Sequence, residues 1–76
     1  MSHYTAVAED NHSVAIYNFD GGVQHFVTSL YVTPGEIVQI HNSETQFTVV
    51  CREDGMNYAY LYTMPLGNFI NKVLLQ

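Results

Sequence analysis

Val14-Ala15-Ile16-Tyr17-Asn18-Phe19 is the stretch on which the reading of this chain turns. Side chains alternate along a strand, so residues two apart share a face. Ala15, Tyr17 and Phe19 therefore point one way, and Val14, Ile16 and Asn18 the other. β-Branched and aromatic residues fit a pleated, half-buried surface better than a helix. Asp20-Gly21-Gly22 follows at once, so the strand is expected to run into a mobile loop. Two rings on one face of an early strand suit a binding floor as readily as a core.

The same grammar extends through the chain. Turn signals stand at Asp20-Gly21-Gly22, Pro34-Gly35, His41-Asn42-Ser43, Asp54-Gly55 and Pro65-Leu66-Gly67. Between them lie runs rich in Val, Ile, Thr, Tyr and Phe. Strands are expected over residues 14–19, 25–32, 36–41, 46–52 and 57–63, with 3–8 as a further edge strand. Closely spaced turns without a long helical pattern predict an all-β, antiparallel fold. Pro34-Gly35 has the residues of a type II turn leading into a strand. Strict alternation there puts Val38 and Ile40 in the core, with Ile37 and Gln39 opposite. The tail Asn68–Leu75 reads either as a helix capped by Asn68, with Ile70, Val73 and Leu74 on one face, or as a final strand.

The 76 residues make one small domain, of a size that buries only about 60% of its unfolded surface. An apolar fraction of 47% against 12% charged argues against disorder. Seven acidic residues face two strong cations, Arg52 and Lys72, for a net charge of −5. Phosphate contacts require several Lys or Arg, so neither nucleic acid nor an anionic membrane surface is expected as a partner. A basic protein partner suits the charge. No apolar run reaches the roughly 18 residues of a membrane span. Cys51 is the only cysteine, which excludes an internal disulfide framework and a Cys-rich zinc site. That usage, with no basic-then-apolar leader pattern, predicts a cytoplasmic setting. No cofactor is expected.

Met56, Tyr58, Tyr60, Tyr62 and Met64 alternate onto one face of a predicted strand. Ala59 and Leu61, on the other face, suit a tight barrel interior, which leaves three tyrosines partly outward. Tyrosine is enriched in interface hot spots because its rigid ring also carries a hydroxyl. His3, His12, His25 and His41 show no strand or helix ligand spacing and are expected to be solvated. Cys51 follows Val49 and Val50 in a predicted strand, the setting of an inert buried thiol. No catalysis is expected. Glu9-Asp10 and Glu53-Asp54 read as solvated turns.

Taken in order, these pieces resemble an SH3 domain. Val14–Phe19 is similar to the family's opening strand, and Asp20–Ser29 would be its first long loop. Leu30-Tyr31-Val32 followed by Pro34-Gly35-Glu36-Ile37-Val38-Gln39-Ile40 is similar to the segment that leads into its central strands. Phe47 falls near the first conserved tryptophan, and Ala59-Tyr60-Leu61 is similar to a later strand. Leu30–Glu36 and Val49–Gly55 look like segments of the helically extended SH3 domains of the adhesion- and degranulation-promoting adaptor type. The resemblance implies a five- to six-stranded SH3-like barrel over about 13–66, with short terminal extensions, as a single domain over 1–76. It also implies a non-catalytic module that binds a protein or peptide, basic or proline-rich. The binding face would be Tyr17, Phe19, Phe47, Tyr60 and Tyr62, with Asp20 and Pro65 at its margin.

The chain departs from the family in having no tryptophan, few acidic residues in the first loop and no proline-tyrosine motif. Without a gap, Tyr62 takes the motif's proline position and Pro65 its tyrosine position. These departures count against ordinary PxxP recognition. A different class of function also fits a short acidic chain, namely a viral or phage-type inhibitor steered to a basic nucleic-acid-binding site. A third is an exposed edge strand that pairs two copies into a homodimer.

Overall fold

The computed structural model describes residues 2–75 and shows seven antiparallel strands. β1 (Ser2–Ala8), β2 (Ser13–Asp20) and β3 (Val23–Tyr31) form one sheet. β4 (Glu36–Asn42), β5 (Gln46–Glu53), β6 (Met56–Thr63) and β7 (Phe69–Leu75) form the other, each strand beside its sequence neighbour. The all-β, antiparallel expectation holds. The five- to six-stranded SH3-like barrel does not: among the described residues there are seven strands in two sheets, and no ladder closes them into a ring.

Three segments account for the difference. Residues 2–8 pair with β2 along their whole length. The tail resolves to a strand, pairing with β6 from Asn57↔Leu75 to Tyr62↔Phe69. The expected first loop is a hairpin, since β2 runs on to Asp20, which pairs directly with Val23. Gly21 and Gly22 both take positive φ, 61° and 81°, as a two-residue type I′ turn requires. The polar residues Gln24, His25, Thr28 and Ser29 belong to a strand with much of its surface in water.

The sheets meet over Val14 and Ile16 from β2, Phe47, Val49 and Cys51 from β5, and Tyr60 and Tyr62 from β6. Ala6, Val32 and Met64 complete this core. Alternation misleads in β4. Its register against β5 slips between Ile37 and Gln39, a bulge at Val38. One extra residue reverses the faces, so Ile37 and Ile40 pack on the core while Val38 is 65% exposed.

Asn42 joins the two sheets along one side. Its Oδ1 accepts from the Ala6 N–H at 2.8 Å, and its Nδ2 donates to the Ala6 carbonyl at 3.1 Å. A single side-chain amide thus stands in for one residue of a neighbouring strand. The other side, where β3 and β7 are the last strands of their sheets, has no ladder between them among the described residues.

Candidate functional site: an open sheet edge at β7

The residues expected to form one aromatic face separate into two groups. Phe47 is fully buried and stacks on Tyr62 with ring centroids 5.3 Å apart. Tyr60 and Tyr62 are 8% and 7% exposed. The tyrosine face of β6 therefore points inward, not outward as expected. The reason lies in the hydroxyls: each finds an internal acceptor, so the rings can be buried without stranding a polar group. Tyr62 Oη donates to the Val32 carbonyl at 2.5 Å, and Tyr60 Oη donates to Glu53 Oε1 at 2.5 Å. Burial pushes the Tyr62 phenol up to about 12, with the neighbouring Tyr60 adding to the shift. Burial, then the Glu53 hydrogen bond, raises the Tyr60 phenol as well.

Tyr17 and Phe19 lie on the outer face of the three-stranded sheet. Tyr17 meets Phe26 edge to face at 5.9 Å, and Phe19 stacks on His3 at 5.8 Å. Asp20 is exposed at the hairpin end. Pro65 is half-buried in the loop after β6, behind a cis Met64–Pro65 bond. The seven expected site residues thus share no single surface.

His25 and His41 sit on strands of different sheets. No group of three or more His, Cys, Asp or Glu able to hold a metal ion exists among the described residues. Cys51 is fully buried, and its Sγ accepts from the Thr33 hydroxyl at 3.2 Å. Asp10 closes the β1–β2 turn, its Oδ1 accepting the backbone N–H groups of His12 and Ser13 at 2.8 Å each. Those bonds, the His12 one foremost, hold its carboxyl below the usual range.

The feature that alternation did not point to is β7. Phe69, Lys72 and Leu74 lie opposite Tyr62, Tyr60 and Tyr58, and so share the core-facing side of the sheet. The three-stranded sheet does not cover them. Phe69 stays 58% exposed and Leu74 47%, while on the bulge and the outer face Ile70 is 47% and Val73 41% exposed. The strand is apolar on both faces and half in water on both. The sequence held a signal for the apolar faces, though not for their exposure. Read as a strand, Phe69–Leu75 has no polar face to give to solvent.

Lys72 is the one charge on this strand. Its Nζ lies 4.4 Å from the Tyr58 ring centroid and 5.2 Å from that of Tyr60, and pairs with Glu53 Oε2 at 3.1 Å. The Tyr60 and Glu53 contacts raise its pKa, so it is a cation throughout the physiological range. Tyr60, then Lys72, holds the Glu53 carboxyl below its usual value. Glu53 is thus a tied acceptor and not the freely solvated turn residue expected. A lysine on an edge strand normally guards it against pairing. Here the charge is folded inward over its own sheet.

The backbone of this edge is also legible. Met64 N–H bonds toward β5, at the Thr45 carbonyl, and Thr63 N–H bonds toward β7, at the Asn68 carbonyl. By the two-residue repeat, Asn57, Ala59 and Leu61 exchange the β7 ladder bonds. Lys72 and Leu74 then direct their N–H and C=O groups to the open side. The Lys72 N–H is met there by Oδ1 of the adjacent Asn71 at 2.9 Å.

No family model, curated protein or solved structure matches this chain. No helix among the described residues is long and apolar enough to cross a membrane.

Proposed function

We propose that the chain is a non-catalytic protein-binding module that captures an extended segment of a partner along β7. One observation carries this reading: β7 is an unpaired edge strand, apolar on both faces, whose only charge is turned inward. Unpaired N–H and C=O groups beside exposed apolar side chains form a template for one more strand. The backbone supplies affinity, and the side chains on the two faces supply selectivity. The resemblance to SH3 domains supports the same class, a small β module that binds protein. The surface differs from the groove that resemblance implies, because Phe47, Tyr60 and Tyr62 are needed inside. A proline-rich ligand also fits poorly here, since proline lacks the N–H that strand addition uses.

Leu74→Pro tests this. It deletes an outward N–H while leaving the β6 ladder, and proline is tolerated at such edge positions. The variant is expected to keep its cooperative unfolding and to lose the partners that the wild-type chain retains in affinity capture from source-cell extract. Equal retention by both, or loss on Tyr17→Ala instead, would contradict the assignment of the site to β7.

A further inference from the structure

The geometry points to one occupant for this edge: an extended strand of a basic partner, apolar on both faces, with Lys or Arg at the end beside Leu75. This rests on the reading of β7 as the binding edge and adds the chemistry of what binds there.

The apolar requirement follows from the register. Partner residues opposite Lys72 and Leu74 would project on the core-facing side, beside the Lys72 stem and Leu74 and diagonal to Phe69. Their neighbours would project to the outer face, beside Val73 and the half-buried Leu75. A strand with one polar face would leave one of these apolar rows in water.

The charge requirement follows from how the two cations are used. Lys72 is committed to Glu53, and Arg52 lies opposite Glu36 in the β4–β5 ladder. The field of a chain with net charge −5 is therefore weakly countered at its surface. Asn57 pairs with Leu75, so the β5–β6 turn bearing Asp54 stands at the Leu75 end of β7. An added strand would pass that turn at about 10 Å, two strand spacings away, which is about one Debye length at 0.1 M salt. A cation there is attracted and an anion repelled, in a salt-dependent way. A second copy of this chain is the less suitable occupant, because it brings another −5 to the same edge.

Asn71 fixes how the edge waits. Its side chain occupies the Lys72 N–H that a partner carbonyl would take. Local side-chain bonds of this kind compete with ladder bonds. Removing it leaves the N–H free for the incoming strand.

The test is an amide NMR titration of the full chain, at low salt, with three synthetic peptides. They share a Thr-Val-Ile-Val-Thr centre and are flanked on both sides by pairs of Lys, Ser or Glu. The expected shifts centre on Lys72 and Leu74 and extend to Asp54 and Gly55. The Lys-flanked peptide should bind about fivefold tighter than the Glu-flanked one, and the gap should close near 0.5 M salt, where the Debye length is only a few ångströms. Asn71→Ala should tighten all three by about threefold with an unchanged thermal midpoint. Equal affinity of the three peptides would overturn the charge inference and leave the β7 reading standing. Shifts centred on Tyr17 and Phe26, or none at millimolar peptide, would overturn both. Concentration-dependent shifts at Lys72 and Leu74 without peptide would make a second copy the occupant and overturn the inference.

Discussion

Phe47→Ala is expected to cost about 3–5 kcal/mol of stability, the range for truncating a buried ring that the surroundings cannot refill. Phe47 has no exposed surface and stacks on Tyr62. Tyr62 is in turn anchored to the Val32 carbonyl in the crossover between the sheets, so the ring wall cannot simply collapse inward. A domain of this size is held by roughly 4–11 kcal/mol, at 0.05–0.15 kcal/mol per residue. The substitution therefore brings the chain close to unfolding at room temperature. Urea denaturation followed by circular dichroism checks it. A loss under about 1 kcal/mol would mean that Phe47 is not the centre of the core. It would then be available for the ligand-facing role that the sequence resemblance assigns it.

Gly35→Ala should be nearly as damaging, for a different reason. A Cβ at this position would collide with the Arg52 carbonyl oxygen and sit 3.0 Å from both the Arg52 carbonyl carbon and the Glu53 Cβ. The first two are backbone atoms of β5 and cannot rotate away. Gly35 itself has little freedom to retreat. Its N–H donates to the Thr33 hydroxyl at 3.0 Å, and its carbonyl lies 2.6 Å from His12 Nδ1. Relief requires moving the β3–β4 crossover off the four-stranded sheet. Overpacking of this kind costs about 1–3 kcal/mol and can exceed it. At about 4–8 °C per kcal/mol for a domain of this length, the thermal midpoint should fall by roughly 4–24 °C. An unchanged midpoint would show that the crossover and β5 are not in close contact.

Much of the fold was legible because period-2 patterning and turn chemistry are local. Asp20-Gly21-Gly22 and Asp54-Gly55 mark hairpins, and both become two-residue turns with positive φ at each position. The strand cores at 14–19, 46–52 and 57–63 lie where alternation and β-branched residues put them. Bulges were not legible. Ile37 and Val38 are both apolar, so the pattern cannot show which one a slipped register turns inward. The same applies where β7 slips against β6 at the junction of Leu61 and Tyr62. Residues 25–32 read as a strand from their composition, and β3 bears this out; only the resemblance to SH3 domains made Asp20–Ser29 a long loop, because a partly solvated strand with polar residues at Gln24, His25, Thr28 and Ser29 can pass for one.

The candidate site was less legible than the fold. Tyr60 and Tyr62 have the composition of an interface and the position of a core. Their hydroxyl partners decide between these, and those partners come from Glu53 and the Val32 carbonyl, at separations that no local pattern encodes. The edge at β7 depends on topology. Whether an apolar strand is sandwiched or terminal is settled by which strands pair, and no residue within Phe69–Leu75 records it. Lys72 would ordinarily be read as a guarding charge. Only its position over Tyr58 and against Glu53 shows that the edge is left open.

Hydrogen exchange at single amides of β7 reads directly whether this edge is open in the free chain and covered by a bound strand. In the free chain at low concentration, fast exchange is expected at Leu74 and slow exchange at Val73 and Leu75, whose N–H groups lie in the β6 ladder. With the Lys-flanked peptide bound, Leu74 and Lys72 should become protected while Val73 and Leu75 change little. A Leu74 amide already protected in the dilute free chain, or one that stays fast in the complex while amides of β2 and β3 slow, would contradict the reading of β7 as the binding edge.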